Sequence, residues 1–362
     1  MFSLDHYRAV REAAGVIVRS SRARLRLTGG DRRDYLQGLL TNDIAALGPG
    51  QGCYAALLTA QGRMISDMYV LETGQAIVMD LEPALGATVA AHLDRFIFSE
   101  DVQVANETAA TAQIGVFGPA SAAVVAAVLS TGALAKVELA GAVTGDLLED
   151  LPVLGNRTVP WRDGNVLIAR RDDLGVSGFD LIANGDDQAA LLEAIEGAGA
   201  VAFDDETAEV LRIEYGRPRF QQDMNADTIP LEAGIDDRAI SMTKGCYVGQ
   251  EIIVRVVHRG HGRVAKRLIG LAVGSPSEVP EAGDRLRSTA DGREIGVVTS
   301  AAWSPAADGP IALGYVHRDF VEEGTVVTID HGDAHLTATV RRPPRALPAD
   351  SADVRQATPS DR

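Results

Sequence analysis

The chain has 362 residues, which is long enough for two or three domains with sizeable hydrophobic cores. Its composition, 46% apolar and 23% charged, is ordinary for a globular protein, and no run approaches the roughly 18 apolar residues that a membrane-spanning helix needs. The net charge of −16 argues against a protein whose whole surface binds nucleic acid.

The first 110 residues are predicted to mix short strands with helices. Residues 23–28 alternate polar and apolar side chains as a half-buried strand does, and a Gly-Gly turn then leads to Asp31, the predicted N-cap of a helix through Leu39. The pattern continues with three strands and an amphipathic helix, at 55–59, 65–70, 76–80 and 83–96. This order favours an α+β fold over a strictly repeating βαβ fold.

The second half of the chain changes from helices to short strands. Three helices are predicted, at 120–129, 188–196 and 204–216. Beyond Arg267 the pattern predicts a small antiparallel β domain with strands at 268–273, 294–299, 311–316 and 325–329. From Pro343 onward the composition predicts a disordered tail. The predicted division of the chain is therefore 1–255, 256–342 and 343–362.

The chain contains two cysteines, Cys53 and Cys246. Such sparse use does not describe a disulfide scaffold and indicates a reducing cytoplasm. The N-terminal residues lack a basic start followed by an apolar run, so no signal peptide is predicted. A cytoplasmic protein without a membrane anchor is the expectation.

Residues 244–251, Lys-Gly-Cys-Tyr-Val-Gly-Gln-Glu, contain the candidate functional thiol. Lys244 and Arg255 lie close to Cys246 in sequence, and nearby cations favour the reactive thiolate form of cysteine. Glycines on both sides of the cysteine permit tight turns and close approach by a ligand. Two interpretations stay open, a ligand-facing thiol and a small buried apolar cysteine.

Two other roles for the cysteines are disfavoured. A protease-like nucleophile needs a His beside it, and His258 and His261 are predicted on or just after a strand leaving the loop, without an oxyanion-hole pattern. A closed zinc or iron–sulfur site is not predicted, because the cysteines are about 190 residues apart and no Cys-x-x-Cys or spaced His pair accompanies them. Transient ligation of a cluster with a partner's thiol stays open.

Basic residues concentrate between Ile252 and Arg267, where no acidic residue interrupts them. One interpretation is a solvated strand edge or domain seam. The other is a site for an anionic ligand, such as a polyglutamate tail or a phosphate backbone. The second interpretation includes a tRNA-associated module, which the overall acidity of the chain opposes.

The motif at 244–251 resembles the signature of the YgfZ family, Lys-Gly-Cys-Tyr-x-Gly-Gln-Glu. The segments 36–43, 211–218 and 311–316 also resemble family patterns, so the similarity spans roughly residues 5–340. The resemblance implies the fold of the glycine-cleavage T-protein, an aminomethyltransferase: two interlocked α+β segments around a folate channel, followed by an antiparallel β-barrel. It also implies tetrahydrofolate or a one-carbon derivative as ligand, and iron–sulfur client or assembly proteins as partners.

The resemblance further implies which residues contact folate. The T-protein carries a Gly-Gly-x-x-Asp-Asp segment that reads here Gly-Arg-Met-Ile-Ser-Asp, so Ser66 replaces one Asp and Asp67 remains as the candidate folate contact. A strand residue that caps a turn is the alternative interpretation of Asp67. Asp80 stands where the T-protein carries an Asn that helps to hold folate. Glu214 and Arg217 are predicted to shape the channel mouth, or to form an ordinary ion pair at a helix end.

A second folate segment of the T-protein corresponds to 169–180, which includes Arg170 as a candidate contact. Here Asp173 and Val176 replace the Tyr and Glu that would contact folate. The loss of polar partners predicts weaker or differently posed binding and argues against aminomethyltransferase activity.

Three functional hypotheses follow, of which the third is the tRNA-modification accessory protein that the basic residues between Ile252 and Arg267 suggest. The leading hypothesis is a folate-dependent factor for assembly or repair of iron–sulfur proteins, with Cys246 as the functional thiol, Lys244 and Arg255 as its electrostatic setting, and Asp67 as a folate contact. The alternative is a tetrahydrofolate-dependent one-carbon transferase, in which Asp67 is the acid–base or electrostatic group.

Overall fold

The computed structural model describes residues 2–132, 144–259 and 262–342. Its first part contains the strands predicted at 23–28, 55–59, 65–70 and 76–80. The elements follow in this order: α1 (Leu4–Glu12), β1 (Gly15–Val18), β2 (Ala23–Thr28), α2 (Arg32–Gln37), β3 (Gln51–Leu58), β4 (Met64–Glu72), β5 (Ile77–Leu81), α3 (Gly86–Asp94), β6 (Gln103–Asn106), β7 (Thr111–Phe117) and α4 (Ser121–Gly132).

The next part carries the predicted helices at 188–196 and 204–216. Asp204 caps the second of these by accepting a hydrogen bond from the backbone N–H of Thr207. The elements are α5 (Gly145–Glu149), β8 (Asn156–Trp161), β9 (Gly164–Arg171), β10 (Gly178–Asn184), α6 (Gln188–Gly197), β11 (Val201–Ala202), α7 (Asp205–Glu214), α8 (Pro230–Ala233), α9 (Asp236–Ala239) and α10 (Gln250–Val254).

These strands form two interlocked sheets. The first has the order β3-β4-β5-β2-β6, with antiparallel neighbours throughout. The second has the order β11-β1-β7-β10-β9-β8, in which β11 and β1 are parallel and the other described pairs are antiparallel. The first sheet is one stretch of sequence, β2 to β6, and it is inserted between β1 and β7 of the second sheet, so the second sheet is assembled from two separate stretches.

Local sequence explains why the first sheet is well packed. Leu25 and Leu27 of β2 are fully buried and Arg26 between them is half-buried, as alternation along a strand predicts. The central strand β5 reads Ile-Val-Met-Asp-Leu and is buried throughout. Each fully buried large apolar side chain stabilises the fold by about 1.5–3 kcal/mol. The sheet therefore fixes the side chains that its other face presents.

The C-terminal β domain is a closed six-stranded antiparallel barrel, with the order β12-β15-β14-β13-β16-β17. Its strands are β12 (Lys266–Val273), β13 (Arg285–Ser288), β14 (Glu294–Ser304), β15 (Gly309–His317), β16 (Val326–His331) and β17 (Ala334–Arg341). The α+β class and the antiparallel barrel predicted from the sequence are confirmed. The strands β13 and β17 were absent from the prediction, although Leu336, Ala338 and Val340 alternate inward along β17.

The barrel is anchored to the rest of the chain through Asp223. Thr299 and Ser300 donate hydrogen bonds of 2.5 Å and 2.7 Å to one oxygen of its carboxylate. Arg212 of α7 donates to the other oxygen at 2.6 Å. The register of β14 against β15 shifts between Val298 and Ser300, and this irregularity directs two successive hydroxyls to the same carboxylate.

The segment after the cysteine motif differs from the prediction. Its β-branched run predicts a strand, and the structure forms α10 followed by a π-helical turn at Arg255–Arg259. Ile253 is buried, and Ile252 lies so close to Gly62 that a Cβ there would come within 2.8 Å of it. Packing against the β3–β4 turn thus overrides the strand propensity of these residues.

The tail predicted at 343–362 lies outside the described residues. Within the described ranges, no helix is both long enough and apolar enough to cross a membrane.

Candidate functional site

A cavity of about 310 Å³ lies where both sheets meet α7 and α9, and we refer to it as the central cavity. Its wall comes from segments distant in sequence, including β1, β3, β4 and the turn after β9. The charged and aromatic residues that line it are Arg19, Arg22, Tyr54, Asp67, Tyr69, Glu82, Asp173, Asp205, Arg212, Arg217, Arg219 and Arg238. This set combines carboxylates, guanidinium groups and two phenol rings around one space.

Asp67 is half-buried on β4 and faces this cavity. Tyr54 of the neighbouring strand donates a hydrogen bond of 2.6 Å to its Oδ2 atom. The Oδ1 atom is buried and has no hydrogen-bond partner in the part of the chain that the structure describes. Burial raises the pKa of Asp67 to about 6, although the hydrogen bond from Tyr54 opposes the rise. The group is therefore a poised acceptor and a proton-binding site close to neutral pH.

Aromatic rings and guanidinium groups hold one another in place around Asp67. The rings of Tyr54 and Tyr69 lie 5.2 Å apart between centroids, tilted by 43°. The guanidinium of Arg171 lies 3.6 Å from the Tyr69 centroid, and that of Arg238 lies 4.8 Å from the Tyr54 centroid. Each contact is within cation–π range, so both rings are fixed in orientation.

Asp80 lies on β5, directly opposite Tyr69, but its environment differs from that of Asp67. It is fully buried and accepts hydrogen bonds from Arg22 at 2.6 Å, Arg171 at 3.0 Å and Gln113 at 3.2 Å. Burial alone would raise the pKa of Asp80, but the guanidinium groups outweigh it and lower the pKa. The structure thus places Asp80 in an ionic network beneath the cavity wall.

Asp173 lines the central cavity but has strong partners. Arg19 donates to it at 2.6 Å and Arg171 at 3.4 Å. Despite burial, these guanidinium groups hold the pKa of Asp173 far below its usual range. At the position where the resemblance implies a Tyr, the cavity wall therefore has an ion pair.

Two other predicted contacts lie away from the central cavity. Arg170 donates to the backbone carbonyls of Glu149 and Leu151, on the far side of β9 from its neighbour Arg171. Glu214 accepts hydrogen bonds from Tyr7 at 3.0 Å and from Ser304 at 2.6 Å, at the joint between α1, α7 and the barrel. The structure does not bring either residue together with Asp67.

Lys244 is buried and its Nζ atom donates to three backbone carbonyls. The acceptors are those of Gln37, Leu40 and Asn42, each at 2.7 Å. Burial lowers the pKa of Lys244 to about 8. The amine therefore ties the cysteine loop to the C-terminal end of α2.

Cys246 is exposed on the loop between Lys244 and α10 and forms no disulfide. The loop packs on the β3–β4 turn: Gly249 has φ +86°, and a Cβ there would come within 2.5 Å of the Thr59 carbonyl oxygen. The predicted partner Arg255 is mostly exposed and lies 3.8 Å from Glu251. Cys53, in contrast, is largely buried, and burial raises the pKa of its thiol to about 12.

Several residues of the central cavity were missed by sequence reasoning. Tyr54, Tyr69 and Arg238 belong to no motif, and Arg238 is 171 positions from Asp67 in the chain. Cross-strand pairing is the signal that could have found Tyr54. Ala56 of β3 lies opposite Asp67, and Tyr54, two residues away on the same strand, is therefore a diagonal neighbour of Asp67. That register is a property of the folded sheet.

Comparison with known proteins agrees with this architecture. The model of the GCVT N-terminal domain matches residues 2–244, and that of the glycine cleavage T-protein C-terminal barrel domain matches residues 266–345. The glycine cleavage system aminomethyltransferase T of Bartonella henselae has a solved structure with a TM-score of 0.82 and 23% identity, covering 95% of this chain and 89% of that one.

Similar sequences point the same way. An aminomethyltransferase from Parasynechococcus marenigrum strain WH8102 is 27% identical, over 94% of this chain and 89% of its own length. One from Corynebacterium jeikeium strain K411 is 29% identical, over 90% and 86%. A putative chloroplastic transferase of Arabidopsis thaliana is 26% identical, over 88% and 68%.

Two interlocked sheets, a polar cavity between them and a closed six-stranded barrel together define the T-protein type of fold. Within that class, the chain belongs to the family of the GCVT N-terminal domain, whose model covers well over half of its residues.

Proposed function

We propose that the protein binds a tetrahydrofolate derivative in the central cavity and acts on its one-carbon unit beside Asp67. The observation that carries this proposal is the Oδ1 atom of Asp67, which is buried without a hydrogen-bond partner among the described residues of the cavity. An acceptor left in that state favours a ligand that brings an N–H donor. The aminomethyltransferases among the relatives support the same class of reaction.

The residues of the cavity fit a reduced folate. Its volume of about 310 Å³ lies at the lower end of the range for small-molecule sites. The rings of Tyr54 and Tyr69 supply flat apolar surface for a pterin or a benzoyl ring, and Asp67 supplies an acceptor. When bound, the reduced folate supplies the nitrogen atoms that carry the one-carbon unit.

The chain's own groups have separable tasks. Asp67 accepts a hydrogen bond from a ligand N–H, and a pKa of about 6 allows it to take up or release a proton near neutral pH. Tyr54 fixes the orientation of that carboxylate through its 2.6 Å hydrogen bond. Arg171 stacks on the Tyr69 ring, with its guanidinium 3.6 Å from the ring centroid. The ion pair of Arg19 with Asp173 completes the wall.

A calorimetric titration with 5-formyltetrahydrofolate tests the proposal. We expect the parent protein to bind it, and Asp67→Ala to bind it about 10- to 100-fold more weakly, because a charge-assisted hydrogen bond is lost. Glu214→Gln is the matched control, since Glu214 is a hydrogen-bonded carboxylate outside the central cavity. Equal affinity of the parent and Asp67→Ala would remove Asp67 from the site.

Turnover tests the chemical part of the proposal separately. The parent protein is incubated with tetrahydrofolate and a panel of N-methyl and aminomethyl donors, and methylenetetrahydrofolate is measured. Formation of that product supports one-carbon transfer, and the pH profile of the rate should show a group with a pKa near 6. Folate binding without product from any donor would reject transfer and leave a binding protein.

The exposed thiol supports a second candidate function, assembly or repair of iron–sulfur proteins in the manner of the YgfZ branch. Cys246 is free and exposed, on a loop that Lys244 fixes through three carbonyls. A fixed, accessible thiol is suited to contact a partner's cluster or thiol. The iron–sulfur clients would be its protein partners.

Complementation of a YgfZ-deficient bacterium tests the second candidate. The parent gene and Cys53→Ala should complement the deficiency, whereas Cys246→Ala should fail at equal protein level. Cys53 is the appropriate control, because it is the other cysteine and is largely buried. Restoration by Cys246→Ala equal to that by the parent would contradict the thiol role.

A further inference from the structure

A second, smaller cavity adjoins the central one where α9 meets the barrel. It has a volume of about 50 Å³, and we refer to it as the seam cavity. Arg217, Pro218 and Arg238 line both cavities, and Leu268, Ile269 and Leu313 close the seam cavity from the barrel side. Since about 30 Å³ corresponds to one water in the liquid, this space suits a group the size of a carboxylate.

Arg238 is the cation of this junction that lacks an anionic partner. Its guanidinium stacks 4.8 Å from the Tyr54 centroid and forms no ion pair with any carboxylate in the residues the structure describes. Among the other arginines that line the central cavity, Arg19 pairs with Asp173 and Arg22 pairs with Asp80, each at 2.6 Å. A half-buried guanidinium that is stacked but not neutralised is available for an anion.

Arg217 supplies a second donor on the same wall. It is only 7% exposed, and its Nη2 atom is paired with Asp172 at 2.6 Å. Its Nε atom is buried and has no acceptor among the described residues, while its guanidinium stacks 4.6 Å from the Tyr215 centroid. A buried N–H without an acceptor is costly, and an anion in the seam cavity would satisfy it.

The charges that line the seam cavity favour an anion over a cation. They are those of Arg217 and Arg238, opposed by Asp237, which is exposed. Asp67, whose Oδ1 atom is also unsatisfied among the described residues, hydrogen-bonds to the Tyr54 phenol whose ring Arg238 covers. The two adjoining cavities thus contain an unsatisfied acceptor, Asp67, and planar guanidinium donors at their junction.

We propose that Arg238 and Arg217 form a carboxylate-binding subsite at the junction of the two cavities, which holds the acidic group of the substrate handled beside Asp67. The inference rests on the proposed function and names a feature of its substrate. Two planar guanidinium groups held by aromatic rings suit bidentate recognition of a carboxylate. Two sources have this chemistry, the glutamyl tail of the folate and the carboxylate of an N-methyl amino acid donor.

The test compares ligands that differ only in the carboxylate. Binding is measured by calorimetry for 5-formyltetrahydrofolate and its glutamyl diamide, and by thermal shift for sarcosine and dimethylamine. We expect Arg238→Met to weaken binding of one acidic ligand about 10- to 100-fold and to leave binding of its counterpart without the carboxylate unchanged. Arg217→Gln should act on the same ligand to a smaller extent, because its Asp172 pairing already uses part of the guanidinium.

The pattern of losses distinguishes the two sources. A loss confined to 5-formyltetrahydrofolate assigns the subsite to the folate tail, and a loss confined to sarcosine assigns it to the amine donor. Arg255→Met is the matched control, since Arg255 is a mostly exposed arginine that lines neither cavity. Arg238→Lys keeps the charge and should recover part of the affinity, which separates recognition from misfolding.

Failure of this inference differs from failure of the proposed function. If the parent binds folate and Arg238→Met binds every ligand as the parent does, the subsite is wrong and the folate proposal stands. If the parent binds sarcosine but no folate, the folate proposal is wrong, and sarcosine alone then tests Arg238. If the parent binds neither ligand, both proposals are wrong.

Discussion

Asp67 on β4 and Asp80 on β5 are carboxylates on neighbouring strands, but their environments differ. Asp67 faces the central cavity, whereas Asp80 belongs to the ionic network beneath the cavity wall. Asp80 has three donors, and its pKa is lowered despite full burial. Asp67 has one neutral donor, Tyr54, and burial raises its pKa to about 6. The number and charge of the donors therefore decide whether a buried carboxylate is structural or is left ready for a ligand.

Breaking the network should have the largest effect. Asp80→Ala leaves the guanidinium groups of Arg22 and Arg171 buried without this partner, so we expect a loss of about 3–5 kcal/mol in the free energy of unfolding. Urea denaturation followed by circular dichroism measures the loss. A change below 1 kcal/mol would show that the network does not contribute to stability as its geometry indicates.

A third buried charge, Lys244, extends the comparison to the cysteine loop. Lys244→Met removes the donor that three backbone carbonyls share, and we expect a loss of about 2 kcal/mol at pH 7. Because the pKa of Lys244 is lowered to about 8, the unfolded chain binds more protons above that pH. The stability of the parent relative to Lys244→Met should therefore rise between about pH 8 and 10.5. A difference that is flat or falls over this range would contradict the burial of the amine.

Asp67 is expected to show the reverse dependence of stability on pH, because its pKa is raised and not lowered. The folded chain binds more protons at Asp67 than the unfolded chain does between about pH 4 and 6, because burial raises this pKa. The stabilisation from Asp67 is thus present below about pH 4 and lost as the pH rises through 6. Asp67→Asn should gain about 1–2 kcal/mol on the parent between those pH values. Parallel stability curves for the two proteins would contradict the raised pKa.

The smallest effect is expected at the exposed thiol. Cys246→Ser should change the free energy of unfolding by less than about 0.5 kcal/mol and leave folate affinity unchanged, because the side chain is exposed and does not line the central cavity. Thermal melting and the calorimetric titration measure both quantities. A large loss of folate affinity would place the cysteine loop in the folate site.

The sequence predicts the framework of this molecule better than the details of its site. The alternation in β2, the cap at Asp204 and the turn-rich C-terminal half follow from local patterns, and Asp67 follows from a motif. The surroundings of Asp67 do not, because Tyr54 reaches it through strand register and Arg238 reaches the Tyr54 ring through tertiary packing. The neighbourhood of Lys244 and Cys246 in sequence was similarly misleading, since the amine is directed to carbonyls some 200 positions earlier.

Arg212 links the barrel to the central cavity. It donates to Asp223 and to Ser300 of the barrel at 2.6 Å and 2.8 Å, and the same side chain lines the central cavity. One guanidinium is thus held in common by a structural joint and a ligand-binding wall. A change in the barrel that disrupts this joint would also move a residue of the cavity wall. The two domains are therefore expected to change together during evolution.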